Sequence, residues 1–388
     1  MLFLWFNNIS KGDYSVNTYV NKRLPFGLRC SPTILMMALY KLLIVDKSNH
    51  PDTQDLKKHL YSNTYMDNCA LSGNDPSYMS WAILQLNSIF NPYGFLLQQF
   101  ITNCQSLYSH IQCQEEPKEE NKLLGLKWNT KSDLIYTNPI SLNYSATTKR
   151  EILSSIASQF DPFGYNTPIL MRARLFLHSL QSDVGIDWDH TLSTAILREW
   201  RNIVHQANRS PIISIPRFVG SKMDSYSIHG FSDSSAEAYG CVFYLLNHNS
   251  NQISFLLSKY RMVNRNLKGK SIPTLEMNAI ELAVETAVDV HSELTGPLNL
   301  EPVNIIQLTI YSDSMVALQW LYNYNLKLDK MRNCSIFVLN RLDKIAKLTE
   351  ATPIQFKHIG GSHNPADCLI KPYSYNLPKH HIYLGLHL

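Results

Sequence analysis

Three strand-like runs follow one another past Pro216, at residues 226–232, 239–247 and 253–259, before any helical pattern interrupts them. A helix is expected at about 274–291, then a strand at 305–312 and helices at 314–323 and 330–349. A last strand at 354–359 precedes a short helix and a polar tail. The order β-β-β-α-β-α-α-β-α specifies a mixed α/β domain of about 150 residues.

The first 220 or so residues are less regular. Pro25 and Gly27 form a loop ahead of Ser31-Pro32, where Ser31 suits a helix cap and Pro32 a first turn. A mostly apolar helix then spans 33–45, and 77–90 reads as a second helix ending at Asn91-Pro92-Tyr93-Gly94. Between them, 63–73 is a short strand–turn–strand with Asp67-Asn68 at its tip. The charged, proline-containing stretch 114–122 marks a first boundary. Short strands follow near 124–128 and 134–137, then helices at 151–160, from Pro168 to about 181, and at 192–207. These breaks divide the chain into 1–113, 114–216, 217–375 and a tail, 376–388.

With 45% hydrophobic and 17% charged residues, 388 residues can bury the cores of two or three domains. The net charge of +4 permits a nucleic-acid partner without requiring one. Seven scattered cysteines (30, 69, 104, 113, 241, 334, 368) with no C-x-x-C argue against a disulfide framework or a zinc knuckle, and for an intracellular setting. The longest apolar run, Ile34–Val45, is broken by Lys41 and falls short of a membrane span. Leu2–Phe6 is too short for a signal peptide, so a soluble protein is expected.

Four acids of the last domain stand at element ends. Asp233 follows a strand, Glu276 opens a helix, Asp313 ends a strand and Asp367 begins a short helix. Glu281, Glu285 and Asp289 make a polar stripe on the helix, but Glu276 shares a face with Ile280, Ala283 and Ala287. An acid on an apolar face either caps the first turn, where the macrodipole favours it, or pairs with a counterion or metal. Converging carboxylates suit hard cations such as Mg²⁺. Two such ions can clamp the attacking and leaving oxygens of phosphodiester hydrolysis. Just before this helix, Lys259, Arg261, Arg265, Lys268 and Lys270 sit in a stretch without acids. They form either a solvated connector or a set of phosphate contacts.

Four motifs, FSDSSAEAYGCVFY, IPTLEMNAIELAVE, IYSDSMVALQWL and HIGGSHNPADCL, together resemble the ribonuclease H domain of Bel/Pao-class retrotransposons. Upstream, LPFGLRCSPTILMMAL and TYMDNCALSG resemble a reverse transcriptase palm and its Tyr-x-Asp-Asp box. The segment from NKLLGLKWNTKSDLIY to DWDHTL resembles the Bel/Pao connection, part of which carries a Pao-type peptidase label. The resemblance implies a partial palm over 1–113, a connection over 114–216 and a ribonuclease H-like domain over 217–375.

It further implies that Asp233, Glu276, Asp313 and Asp367 hold two Mg²⁺ or Mn²⁺ ions and cut RNA in RNA–DNA hybrids. His358, with His363 as rival, matches the family's loop histidine. Asn68 replaces the second aspartate of the polymerase box, and Asp13 is the only acid ahead of Pro25, so the polymerase is expected to be inactive. A non-catalytic nucleic-acid-binding remnant is the rival reading. A peptidase is a weaker third, because Asp233 and Asp313 lack the Asp-Thr/Ser-Gly turn. Oligomeric state is left open.

Overall fold

In this computed structural model the described residues are 2–25, 27–45, 53–97, 99–110, 120–182, 185–264, 266–296, 302–326, 334–371 and 383. The chain separates into two compact units. One is Met1–Phe100 with Cys104–Gln114, and the other is Ile101–Asn103 with Glu115–Leu388.

The first unit opens with a hairpin of β1 (Leu2–Asn8) and β2 (Asp13–Val20), which the sequence reading did not foresee. Of its apolar side chains, Leu4, Trp5, Val16 and Val20 are more than half exposed. Helix α1 (Ser31–Tyr40) runs into a π-helical turn over Lys41–Val45. Ser31 does not cap it; Cys30 holds that position, and the Ser31 hydroxyl donates instead to the Pro25 carbonyl at 2.8 Å. Next come α2 (Gln54–Ser62), β3 (Thr64–Tyr65), β4 (Asn68–Cys69) and α3 (Pro76–Phe90). Leu39, Leu42, Leu43, Leu56, Leu60, Leu86 and Phe90 form their shared core.

In the second unit, β5 (Glu120–Leu123), β6 (Leu126–Asn129), β7 (Leu134–Tyr136) and β8 (Ser214–Pro216) make an antiparallel sheet. The charged stretch taken as a boundary lies outside the described residues up to 119. Helices α4 (Lys149–Ala157), α5 (Thr167–Ser182) and α6 (Thr194–Ala207) pack around Trp200, Leu170 and Ile152. Thr148 and Glu151 close a reciprocal capping box at the start of α4.

Then β9 (Ser225–Ser234), β10 (Ala238–Asn247), β11 (Ile253–Met262) and α7 (Ile272–Thr295) follow. The chain continues with β12 (Asn304–Ser312), α8 (Met315–Asn325), α9 (Ile336–Ala351) and β13 (Gln355–His358). The order of elements expected from the sequence therefore holds, and the class is mixed α/β. The five strands lie in the order β11-β10-β9-β12-β13. The β9–β10 and β10–β11 pairs are antiparallel, while β9–β12 and β12–β13 are parallel.

Helix α7 lies against this sheet. Met277, Ile280, Ala283, Val284 and Ala287 are wholly buried with Ile228, Cys241, Phe243 and Ile310. Each large side chain so buried contributes roughly 1.5–3 kcal/mol. Of the expected tail, 376–388, only Tyr383 is described.

Candidate active site

Strand β9 carries Asp233 next to its last residue, and the side chain is buried, 4% exposed. Glu276 sits in the first turns of α7, also 4% exposed. Asp313 directly follows β12 and is half-buried. Parallel pairing of β9 with β12, with Ser232 opposite Ser312, brings Asp233 and Asp313 to the same end of the sheet. One oxygen from each of Asp233, Glu276 and Asp313 lies within 4.8 Å of the others. Among the described residues this is the one cluster of metal-ligating type.

The cluster is short of positive charge. The Ser234 backbone N–H donates to the Asp233 Oδ1 at 2.8 Å and to the Glu276 Oε1 at 3.2 Å. The Glu276 Oε2 is buried and meets no hydrogen-bond partner among the described residues. Burial, then the charges of Asp313 and Asp367, pushes the Asp233 carboxyl up to about 7. Burial, then Asp233, pushes Glu276 up to about 8. Neither acid sits comfortably as an anion unless a cation joins it. A set of carboxylate oxygens, one of them orphaned, fits a hard divalent ion.

Asp367 stands beside the three rather than among them. It forms an ion pair with Lys371, whose pKa is raised chiefly by the Asp367 hydrogen bond. Buried Asn364 ties this segment down. Its Nδ2 donates to the Ser232 carbonyl at 2.9 Å, and its Oδ1 accepts from the Ala366 N–H at 3.1 Å. Neither Asn364 nor Lys371 was singled out from sequence. The Asn-Pro-Ala-Asp motif was the available signal for the first, and Lys371 carried none.

His358 ends β13, paired with Ser312, one residue before Asp313, and is exposed. His363 is exposed too, with its Nδ1 3.2 Å from the Ser362 hydroxyl. Between them Gly361 presses on the cluster, since a Cβ there would lie 3.0 Å from the Asp313 Oδ2.

The basic residues divide between a strand and the connector that holds Lys268 and Lys270. Lys259 and Arg261 lie on β11. They face the acidic stripe of α7, with Lys259 3.6 Å from Asp289 and Arg261 3.7 Å from Glu285. Lys270 lies 5.5 Å above the Phe337 ring. Lys268 is exposed, and Arg265 is outside the described residues.

In the first unit, Asp67 lies in the turn and Asn68 opens β4 instead of sharing the tip. Both are exposed, and the Asn68 Nδ2 donates to the Asp67 Oδ1 at 3.1 Å.

Several solved structures are similar to this chain. A foamy viral protease-reverse transcriptase in complex with double-stranded DNA aligns with a TM-score of 0.47 at 15% identity, over 87% of this chain and 50% of its own. The same kind of protein with an RNA/DNA hybrid gives 0.48 at 14% identity, over 89% and 40%. An N-terminal RNase H domain from Mycobacterium tuberculosis gives 0.26 at 10% identity, over 38% and 94%. The chain thus spans half or less of the first two solved chains. No curated protein matches it. Residues 148–314 match the family of the Pao retrotransposon-like RNaseH-like domain. That stretch takes in Asp233, Glu276 and Asp313 and is what this chain shares with that family.

Proposed function

We propose that the second unit is a metal-dependent endonuclease that hydrolyses the RNA strand of RNA–DNA hybrids. The observation that carries this reading is the meeting of three buried or half-buried carboxylates, one with an unsatisfied oxygen, at one end of the sheet. Asp233, Glu276 and Asp313 would hold Mg²⁺ or Mn²⁺, with Asp367 at the flank. Two such ions, when bound, activate a water and stabilise the leaving oxygen. The chain's own part is to fix the oxygens. Ser234 holds Asp233 and Glu276 through one N–H, and Asn364 anchors the segment that carries Asp367. His358, or its rival His363, both exposed, would act as the loop histidine that helps product leave.

Lys259, Arg261, Lys268 and Lys270 would meet backbone phosphates, contacts that position a duplex without reading its sequence. The chain would be laid out as a partial polymerase palm over 1–113, a connection over 114–216 and the nuclease over 217–375. The palm would not synthesise DNA, since Asn68 is a neutral ligand and occupies the Asp67 oxygen.

The test is hybrid cleavage by the full chain with Mg²⁺, beside Asp313→Asn. Cleavage by the parent and a loss of at least about 10²-fold in the variant is expected. Equal activity in the two would refute the site. Hybrid binding without cleavage in either would favour a non-catalytic remnant. Primer extension on an RNA template should give no product, and Mg²⁺-dependent extension would overturn the polymerase reading.

A further inference from the structure

We propose a second site in the same unit, a pocket for a phosphate-type oxyanion centred on Arg174, apart from the carboxylate cluster. A cavity of about 270 Å³ opens where α5 meets the edge strand β11, lined by Arg174, Lys259, Arg261, Thr167, Ser258 and Asp161 among others. None of the clustered acids lines it.

Arg174 is the reason to expect a ligand. Its Nη1 is buried and has no hydrogen-bond partner among the described residues. The guanidinium lies over the Tyr260 ring, 4.4 Å from its centroid, a contact that uses its face and leaves its edge N–H groups free. Burial lowers the Arg174 pKa, so the folded protein gives up solvation of this cation without a bidentate partner in return. Buried polar groups that lack partners are rare enough to need a cause. The charge of Asp161 offsets burial only in part, and a water would satisfy one N–H without adding charge. Three cations line the cavity against one carboxylate, Asp161, which already accepts the Asn166 N–H at 2.9 Å. The ion pairs of Lys259 with Asp289 and of Arg261 with Glu285 are long, at 3.6 and 3.7 Å, and both cations are largely exposed. They can turn toward a second anion at little cost. The Thr167 hydroxyl also lines the cavity, while the Ser258 hydroxyl donates to the Gly164 carbonyl at 3.4 Å. A compact group with several acceptor oxygens answers this set, and guanidinium–phosphate pairing is its strongest form.

Two sources carry that group, a nucleic-acid backbone and free inorganic phosphate. The pocket stands on its own lining and does not depend on hybrid cleavage. The experiment uses the full chain in EDTA, titrated with sodium phosphate against sodium chloride at equal ionic strength, read by calorimetry and thermal shift. Phosphate should bind and raise the unfolding midpoint. Arg174→Gln should weaken binding about tenfold or more, as loss of a charged hydrogen bond does. Arg261→Gln, at a side chain 58% exposed, guards against a folding defect and should weaken it several-fold. Asp313→Asn should bind like the parent, which separates this site from the nuclease.

A second arm measures RNA–DNA hybrid affinity in EDTA. Competition by free phosphate and a matching loss in Arg174→Gln identify a strand phosphate as the occupant. An unchanged hybrid affinity with phosphate binding retained identifies the free ion. No phosphate effect in the parent, or equal binding by both Arg variants and the parent, would overturn the proposal.

Discussion

At the scale of single residues, the clustered acids set a sign that can be measured. Asp233 at about 7 and Glu276 at about 8 both stand above their ordinary values of 3.8 and 4.5. A raised carboxyl keeps its proton longer in the folded than in the unfolded chain. Its contribution is therefore full below about pH 4 and is lost as pH rises toward 8. Denaturation in EDTA should show stability falling over that window. Glu276→Gln should flatten the fall and stabilise the metal-free protein at pH 8 by roughly 1–3 kcal/mol, while abolishing divalent-ion binding. A variant no more stable than the parent at pH 8 would contradict the strained-carboxylate account. Gly361→Ala should cost several-fold in Mg²⁺ affinity by isothermal titration with little change in melting temperature, because the added methyl meets the Asp313 carboxylate and not the core. Glu276 was legible in sequence because an acid among Ile280, Ala283 and Ala287 breaks the stripe of its own helix. Lys371 was not, because a lysine four residues after an acid occurs on any exposed turn.

Among elements, the run of strands and helices past Pro216 could be read because each has its own period and sharp punctuation. What stayed hidden was pairing. The strand β8 is only three residues long, too short for its alternation to stand out, yet it completes the β5–β8 sheet. Arg261 was read as loop because β11 runs three residues past the expected end at Lys259, to Met262. The partners of Arg261 and Lys259, Glu285 and Asp289, lie on a helix whose acidic stripe looked like a solvated face. That stripe is instead a seam, since Glu281 also meets Arg341 at 3.3 Å and Lys344 at 2.8 Å. Reversing it with Glu281→Lys should destabilise by about 1–3 kcal/mol in denaturant titration, because Glu281 is largely buried and Arg341 and Lys344 lose its carboxylate to a like charge. Within the Asn-Pro-Ala-Asp segment, Asn364→Ala should cost a similar amount by the same measurement and reduce cleavage, since it strands the Ser232 carbonyl.

For the molecule as a whole, the resemblance pointed to the family whose model matches residues 148–314, but it could not say how helices α4–α6 meet the five-stranded sheet. They meet at Gly164. Its φ of +79° belongs to glycine, and a Cβ would lie 2.1 Å from the Ser258 hydroxyl oxygen. The Ser258 N–H donates to the Phe163 carbonyl at 2.9 Å, and the Tyr383 hydroxyl donates to the Gly164 carbonyl at 2.7 Å. Gly164→Ala should lower the melting temperature by several degrees, corresponding to roughly 2 kcal/mol or more. The junction has a further consequence. An outermost strand with idle N–H groups invites a neighbouring chain to extend the sheet, a route to fibrils. By laying one carbonyl of the Asp-Pro-Phe-Gly turn on β11, the protein blocks templated growth at the spot where its phosphate pocket must stay open to solvent.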